Sequence, residues 1–240
     1  MRAMTKVTLP SATRLSLRQE FERTWNGALQ IWCWDGRNNN DRRRAIYPKY
    51  KAQREPMAED YFSQIKLFRE ILTHTPAIQI ECDGWEADDV AGTLARKFAA
   101  AGHQVTCYSN DLDWSQLEAN PNIRIDGIQK RPTMPRWIPL YKALVGDTSD
   151  NISGVAGFGP GTWTKLKPYW EEIEDAIRNR GSLSHLPLPP RLRNLVVDDE
   201  LRNSLLITHI FPVPDDEIAA GTTLGQPNRE AAEQILGNYY

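Results

Sequence analysis

This chain of 240 residues is short of the residue types that build disulfide or zinc frameworks. Its three cysteines, Cys33, Cys82 and Cys107, are an odd number without paired spacing, and each sits in or at the end of an apolar, strand-like run. That pattern argues for buried, reduced thiols and against a disulfide scaffold. The four histidines are scattered without ligand spacing, which excludes a zinc site built on them. No apolar run approaches the roughly 20 residues of a bilayer span, and the first residues lack a signal-peptide core, so a cytoplasmic protein without membrane contact is expected. An excess of positive charge is also missing: 29 Lys+Arg stand against 31 Asp+Glu, for a net charge of −2. A generic basic nucleic-acid binder is therefore disfavoured, although net charge hides segregation. Seven basic residues lie between Arg37 and Arg54, namely Arg37, Arg42, Arg43, Arg44, Lys49, Lys51 and Arg54. Internal repeats and low-complexity tracts are absent.

Hydrophobic periodicity orders what is there. Residues 11–24 read as a capped amphipathic helix with Ser11 as N-cap. Residues 29–34 read as a buried strand ending in Asp35-Gly36, and the basic stretch 42–54 leads into a helix over 58–72. A second strand is expected over 77–82, a helix over 86–101 stopped by Gly102, a third strand over 104–108 and an edge strand over 122–125. Strands alternating with helices predict an α/β fold with a mostly parallel central sheet flanked by helices. From about 137 onward the pattern is helical and richer in proline, with helices over 139–146, 160–170, 171–179, 198–210 and 228–237. Leu186–Pro190 reads as a linker-like break. The expected division is an α/β core over 1–136 and a helical lobe over 137–240.

The stretch from Gly146 to Gly161 carries two kinds of chemistry. Asp147 and Asp150 are three apart, so one helical turn would aim both carboxylates the same way. Gly154, Gly157, Gly159 and Gly161 follow, with Pro160 placed to open a helix, where free N–H groups and close backbone approach suit a phosphate. Ligands of an open parallel sheet bind at the carboxyl ends of its strands. Asp35 follows the first strand, Glu86, Asp88 and Asp89 open the helix after the second, and Asp111 and Asp113 follow the third. Each acid alone has an ordinary explanation as a turn residue or a helix-dipole partner. Eight at places that can reach one sheet edge strain that explanation, because like charges about 5 Å apart repel by roughly 3 kcal/mol at an effective dielectric of about 20. Hard oxygen donors in this number suit two Mg²⁺ or Mn²⁺ ions and phosphoryl transfer with water as nucleophile. The basic run 42–54 is interleaved with tyrosines, which favours a nucleic-acid contact over a merely solvated face. Arg43 and Arg44 would meet the backbone, and Tyr50 would stack on a terminal base. Trp32, Trp34 and Trp85 read as core.

Five runs together resemble the 5′ nuclease superfamily, which comprises bacteriophage 5′–3′ exonucleases, the 5′ nuclease domain of bacterial DNA polymerase I, and flap endonucleases. They are 34–36 (WDG), 47–54 (YPKYKAQR), 85–89 (WEADD), 109–117 (SNDLDWSQL) and 146–161, in the family's order over roughly residues 28–170. The resemblance implies a PIN-like nuclease fold with a helix–three-turn–helix DNA-binding lobe. It implies metal-binding positions at Asp35, Glu86, Asp88, Asp89, Asp111, Asp113, Asp147 and Asp150, with Asp89 the weakest direct ligand. Lys51 and Arg54 would be the catalytic cations at the gateway for a 5′ single strand. Gly154 to Gly161 would hold a K⁺ ion and grip the duplex without reading its sequence. The implied substrate is DNA with a 5′ end or flap, with RNA–DNA hybrids also admitted. The protein is expected to be a monomer that can serve replication proteins in a bacterial or phage-infected cell.

Three departures from the family pattern stand out. Family members begin with a short strand carrying an Asp, whereas residues 1–10 contain no acid; a start upstream of Met1 is preferred over a lost ligand. Gly161 stands where relatives carry Lys, and Trp163 where they carry Ala, so duplex binding shifts to Lys165 and Lys167. The gateway over 42–57 is short, predicting a modest loop. Two other readings are a DNA-binding module that does not cleave and a ribonuclease of the related PIN-like fold.

Overall fold

The computed structural model describes residues 29–55, 59–189 and 197–237. The helix expected over 11–24 and the acid-free first ten residues lie outside these. The described chain forms two compact units.

One unit takes in the described residues up to Asp35, those between Arg54 and Asp83, and those from Pro214 onward. Strand β1 (Ile31–Asp35) pairs parallel with β2 (Ile78–Cys82), in a register that sets Ile31 opposite Ile78 and Asp35 opposite Cys82. A short strand, β5 (Thr222–Leu224), runs antiparallel on the other side of β2. Alternation places Ile80 and Cys82 of β2 in the core, while Glu81 pairs with Arg69. Helix α2 (Glu59–Thr73) buries Leu67, Ile71 and Leu72. Trp32 and Trp34 are stacked along β1, and the edge of Phe68 meets Trp32 at 4.8 Å. β1 is half-buried and not fully buried as its apolar run predicts. Helices α8 (Asp215–Ala220) and α9 (Arg229–Gly237) complete this unit.

The other unit spans Gly36–Gln53 and Gly84–Val213. It opens with helix α1 (Asp41–Ile46), followed by a turn through Gln53. Helix α3 (Ala87–Ala100) packs Ala95 and Ala99 against Leu117, Ile123, Ile125 and Ile210. Strand β3 (Val105–Tyr108) pairs parallel with β4 (Ile123–Asp126), and a 3₁₀ helix over Leu112–Ala119 joins them. A second cluster is helical. Helix α4 (Ile138–Val145), α5 (Pro160–Lys165), α6 (Trp170–Asn179) and α7 (Asp199–Ile207) enclose Leu140, Leu144, Phe158, Ile173, Ile177 and Leu205. Trp163 and Trp170 stack there at 4.0 Å, and the Trp170 indole N–H donates to the Trp163 carbonyl.

The architecture is α/β, with three differences from the expectation. The described strands pair into two sheets, β1-β2-β5 and β3-β4, instead of one mostly parallel sheet. Periodicity marks strands but says nothing of which edges meet, and the antiparallel β5 comes from a Thr-Thr-Leu run too short to signal one. Unit boundaries fall at 35/36, 53/54, 83/84 and 213/214, and not at 136/137. The segment read as a linker is packed where it is described: Leu186 and Leu188 are buried in the helical cluster, as is Leu183 just before it. The two leucines outweigh its prolines, which only keep it from being a helix.

His209 sits where α7 ends, and its ring nitrogen is 2.9 Å from the Arg178 guanidinium. Burial, and then the Arg178 charge, lowers its pKa to about 4. The unfolded chain takes up this proton near pH 6.5 and the folded chain only near 4, so stability is lost as pH falls through that window. For a partly exposed ring the loss is about 2 kcal/mol. Thermal denaturation of wild type and His209→Gln between pH 7 and 4 should show a shallower decline in the variant.

Candidate metal centre

Four segments of the second unit build the site. The first is the turn after α1. Tyr47 and Tyr50 are buried against Ile152 and Ile207. The Lys51 N–H donates to the Asp150 carbonyl at 3.2 Å, Gln53 Nε2 to the Thr148 carbonyl at 2.7 Å, and Asn151 Nδ2 to the Lys49 carbonyl at 2.7 Å. Lys51 itself takes a left-handed backbone, φ 51°. Such strain in a non-glycine residue persists only where its surroundings over-determine it.

The second segment is the start of α3. Glu86 occupies the N-cap position, yet its carboxylate makes no cap bond. It accepts instead from Arg43, Lys51 and the Tyr50 hydroxyl. Glu86 and Asp89 are three apart and share a helical face, so one guanidinium forks between them. Arg43 Nη1 and Nη2 reach the two Asp89 oxygens at 2.6 and 2.7 Å. Arg43 Nε and Nη2 also donate to the carbonyls of Ile207 and His209, both at 3.0 Å. Asp88 turns the other way and accepts from Trp114 Nε1 at 2.7 Å.

The third segment follows β3. Asp111 caps the 3₁₀ helix, its Oδ1 accepting from the Asp113 N–H at 2.9 Å. The fourth is α4 and the turn after it. Gly146 (φ 100°) ends the helix, and paired backbone bonds between Asp147 and Ile152, both 2.8 Å, close a hairpin. Asp147 and Asp150 therefore stand on a tight turn and not on the helical turn their spacing suggests, yet both aim at one cation. Lys142 Nζ lies 2.5 Å from Asp113, 2.5 Å from Asp147 and 3.2 Å from Asp150. Beside it opens a cavity of about 610 Å³, lined by Asp111, Tyr141, Lys142, Asp147, Ser149 and Ser153 among others.

The electrostatics record a shortage of positive charge. Burial, and then Asp111, pushes the Asp88 carboxyl up to about 7. Burial likewise raises Asp113 to about 7 against the pull of Lys142, with Asp111 and Asp150 adding to the rise. For Asp147, burial is overcome by Lys142 and by two bonds from Ser149, which hold the carboxyl below its ordinary range. Lys142 is buried too, but Asp113, Asp150 and Asp147 keep its ammonium well above the ordinary lysine range. With Asp89 paired to Arg43, the carboxylates of Glu86, Asp88, Asp111, Asp113, Asp147 and Asp150 lie around the ammoniums of Lys51 and Lys142. All donors are hard oxygens, a set that fits Mg²⁺ or Mn²⁺. Among the described residues, no three acid, His or Cys side chains already converge as metal ligands.

Comparisons with known proteins place the chain in a family. The model of the family described as 5′–3′ exonuclease, N-terminal resolvase-like domain, matches residues 15–136. The chain belongs to this 5′–3′ exonuclease family. It is 36% identical over 168 residues to flap endonuclease Xni of Yersinia pestis, covering 65% of this chain and 72% of that protein. It is 36% identical over 148 residues to thermostable DNA polymerase I of Thermus filiformis, covering 57% of this chain and only 18% of the polymerase. In fold it is similar to bacteriophage T5 5′-exonuclease with bound zinc ions, at a TM-score of 0.58 and 21% identity, covering 95% of this chain and 89% of that one. It is also similar to the T5 flap endonuclease in a pseudo-enzyme-product complex with DNA and metal ions, at a TM-score of 0.57 and 20% identity, covering 95% of this chain and 89% of that one.

Within this family member, the geometry sorts the expected residues. Glu86, Asp113, Asp147 and Asp150 are gathered on Lys51 and Lys142, and Asp88 and Asp111 lie close enough to this group to repel its members. Asp35 ends β1 in the other unit and is exposed. Three assignments need correcting. Asp89 is 1% exposed, with both oxygens on Arg43 and one also on the Phe211 N–H, so three of its four acceptor positions are taken by protein donors. Arg43 is 5% exposed and cannot meet DNA, and Tyr50 is 3% exposed and has no ring face to offer a base. Arg44, Arg54, Lys165 and Lys167 are exposed. Lys51 is mostly covered, with its ammonium on Glu86.

Of the four glycines, Gly154 and Gly157 have positive φ, whereas Gly159 and Gly161 have open space around a Cβ. At Gly154 (φ 67°) a Cβ would stand 2.6 Å from the Gly146 nitrogen. Gly154→Ala is expected to cost about 2–3 kcal/mol in urea denaturation, against no loss for Gly161→Ala. Lys142 escaped the sequence reading. Its signal was a single charge inside the apolar helix IPLYKALV, one or two turns ahead of Asp147 and Asp150.

Proposed function

We propose that this protein is a divalent-metal-dependent 5′ nuclease that hydrolyses phosphodiesters in DNA carrying a 5′ end or a 5′ flap at a duplex junction. RNA primers on DNA are admitted, because a site that holds the backbone does not read the base. The observation that carries the reading is the gathering of Asp113, Asp147 and Asp150 on Lys142, with Glu86, Asp88 and Asp111 beside them. Glu86, Asp88, Asp111 and Asp113, with Asp147 and Asp150 more toward a second ion, would hold two Mg²⁺ or Mn²⁺. When bound, such ions make water a stronger nucleophile and neutralise charge on the leaving oxygen.

The protein's own groups do the rest. Lys51, fixed by its backbone bond to Asp150, sets a positive charge beside Glu86, and Arg54 follows it on the exposed chain. Helices α4 and α5 with the intervening turn would form the helix–three-turn–helix, the backbone from Gly154 to Gly161 holding a K⁺ ion. Arg44, Lys165 and Lys167 would lie against duplex phosphates. The relatives, among them a flap endonuclease and a T5 flap endonuclease complexed with DNA and metal ions, support this reading. A nuclease core over 1–136 and a DNA-binding lobe over 137–240 remain the functional division proposed.

The test is a Mg²⁺ and Mn²⁺ titration on a 5′-labelled flap duplex. Product should form only with the ion present. Tight binding of the flap with no product at any metal concentration would reassign the protein as a DNA-binding module.

A further inference from the structure

We infer that Lys142 is a displaceable internal counter-cation, whose ammonium occupies the place at Asp113, Asp147 and Asp150 that a divalent ion must take to bind there. The inference rests on the nuclease reading above and concerns how that site is loaded. Nζ stands 2.5, 2.5 and 3.2 Å from one oxygen of each carboxylate. Mg²⁺ sits about 2.0–2.1 Å from its oxygen ligands, so an ion bridging these three would overlap the nitrogen. Ammonium and ion are mutually exclusive. The side chain is only 3% exposed, so it is built into the group and does not lie across it from solvent.

An exit exists as well. Lys142 lines the open cavity together with Asp111, Tyr141 and Thr148. Its backbone lies inside α4, where Ile138, Leu140, Ala143 and Leu144 are buried, so displacement is a change of side-chain rotamer and not of the helix. The device has a physical rationale. Three carboxylates drawn together with no cation would repel strongly, and a resident ammonium lets the hairpin fold before any ion arrives.

Two measurements on the full chain test this. Mn²⁺ is titrated into the protein while free Mn²⁺ is followed by electron paramagnetic resonance, and lysine methylation by formaldehyde and borohydride is read by mass spectrometry. Lys142 in wild type should be protected without metal and methylate about fivefold faster at saturating Mn²⁺, because an ion that takes the carboxylates frees the amine. Lys142→Met should bind Mn²⁺ at the Asp113, Asp147 and Asp150 group at least about tenfold more tightly, and Lys142→Arg no more tightly than wild type. Unchanged methylation, or unchanged affinity in a folded Lys142→Met, overturns the inference while leaving the nuclease reading in place. Absence of any Mn²⁺ binding to wild type overturns the nuclease reading, and the inference with it. Should Lys142→Met fail to fold, the methylation of wild type decides alone.

Discussion

Asp111→Asn should lower cleavage of a 5′-flap DNA by about a thousandfold or more, while flap affinity measured by fluorescence anisotropy in EDTA stays within about threefold. The substitution isolates charge from structure. Asp111 is exposed, and its side chain accepts the Asp113 N–H at the start of the 3₁₀ helix. Asparagine caps as well as aspartate, so the 111–113 turn should survive. What disappears is a negative charge next to Asp88 and Asp113, each already pushed up to about 7 by burial and by Asp111 among other causes. Losing it relaxes both neighbours, so the variant should be no less stable than wild type in the absence of metal. A variant that cleaves at more than a tenth of the wild-type rate would show that this carboxylate serves the turn and not the reaction.

Arg43→Met should destabilise the protein by about 3–5 kcal/mol, read as a drop in the urea midpoint with an unchanged slope. All the donors of this guanidinium that the structure records end on buried acceptors: Glu86, Asp89 and the carbonyls of Ile207 and His209. Methionine of similar length leaves Asp89 as a charge at 1% exposure with one remaining backbone donor, Phe211. Lysine cannot take over, because a single ammonium does not fork between Glu86 and Asp89. Arg43→Met combined with Asp89→Leu should recover part of the loss, since no isolated charge then stays buried. A loss below about 1 kcal/mol in the single variant would mean that the α1–α3 link is dispensable.

The contrast between these two residues shows what a sequence reveals. Strand and helix positions were legible, because β2, α3 and α6 carry clean alternation or 3.6-residue spacing. The carboxylates were legible as a set, because strand ends and helix starts are places where acids accumulate for a reason. Which acids face an ion was not, since Glu86, Asp88 and Asp89 share one run, yet Arg43 takes Glu86 and Asp89 while Trp114 takes Asp88. Arg43 and Tyr50 read as nucleic-acid contacts because a basic, tyrosine-bearing run looks like a solvated face. Only the residues brought to it from 86–89 and 207–211, far along the chain, bury it. Lys142 was passed over for the opposite reason: a lone lysine in an apolar helix looks like noise until three aspartates arrive around it. The division into two sheets depends on edge pairings that alternation does not encode.

The link between Lys51 and the metal side has a practical corollary. Main-chain atoms make its central bond, from the Lys51 amide to the Asp150 carbonyl. Trimming either side chain to alanine therefore leaves this tie in place, so such a scan reports on chemistry without loosening the geometry. An ester in place of the amide at position 51 would remove that bond alone, with the side-chain bonds of Gln53 and Asn151 still joining the two segments. That semisynthetic protein would keep every functional group and report what the one main-chain bond adds to their alignment.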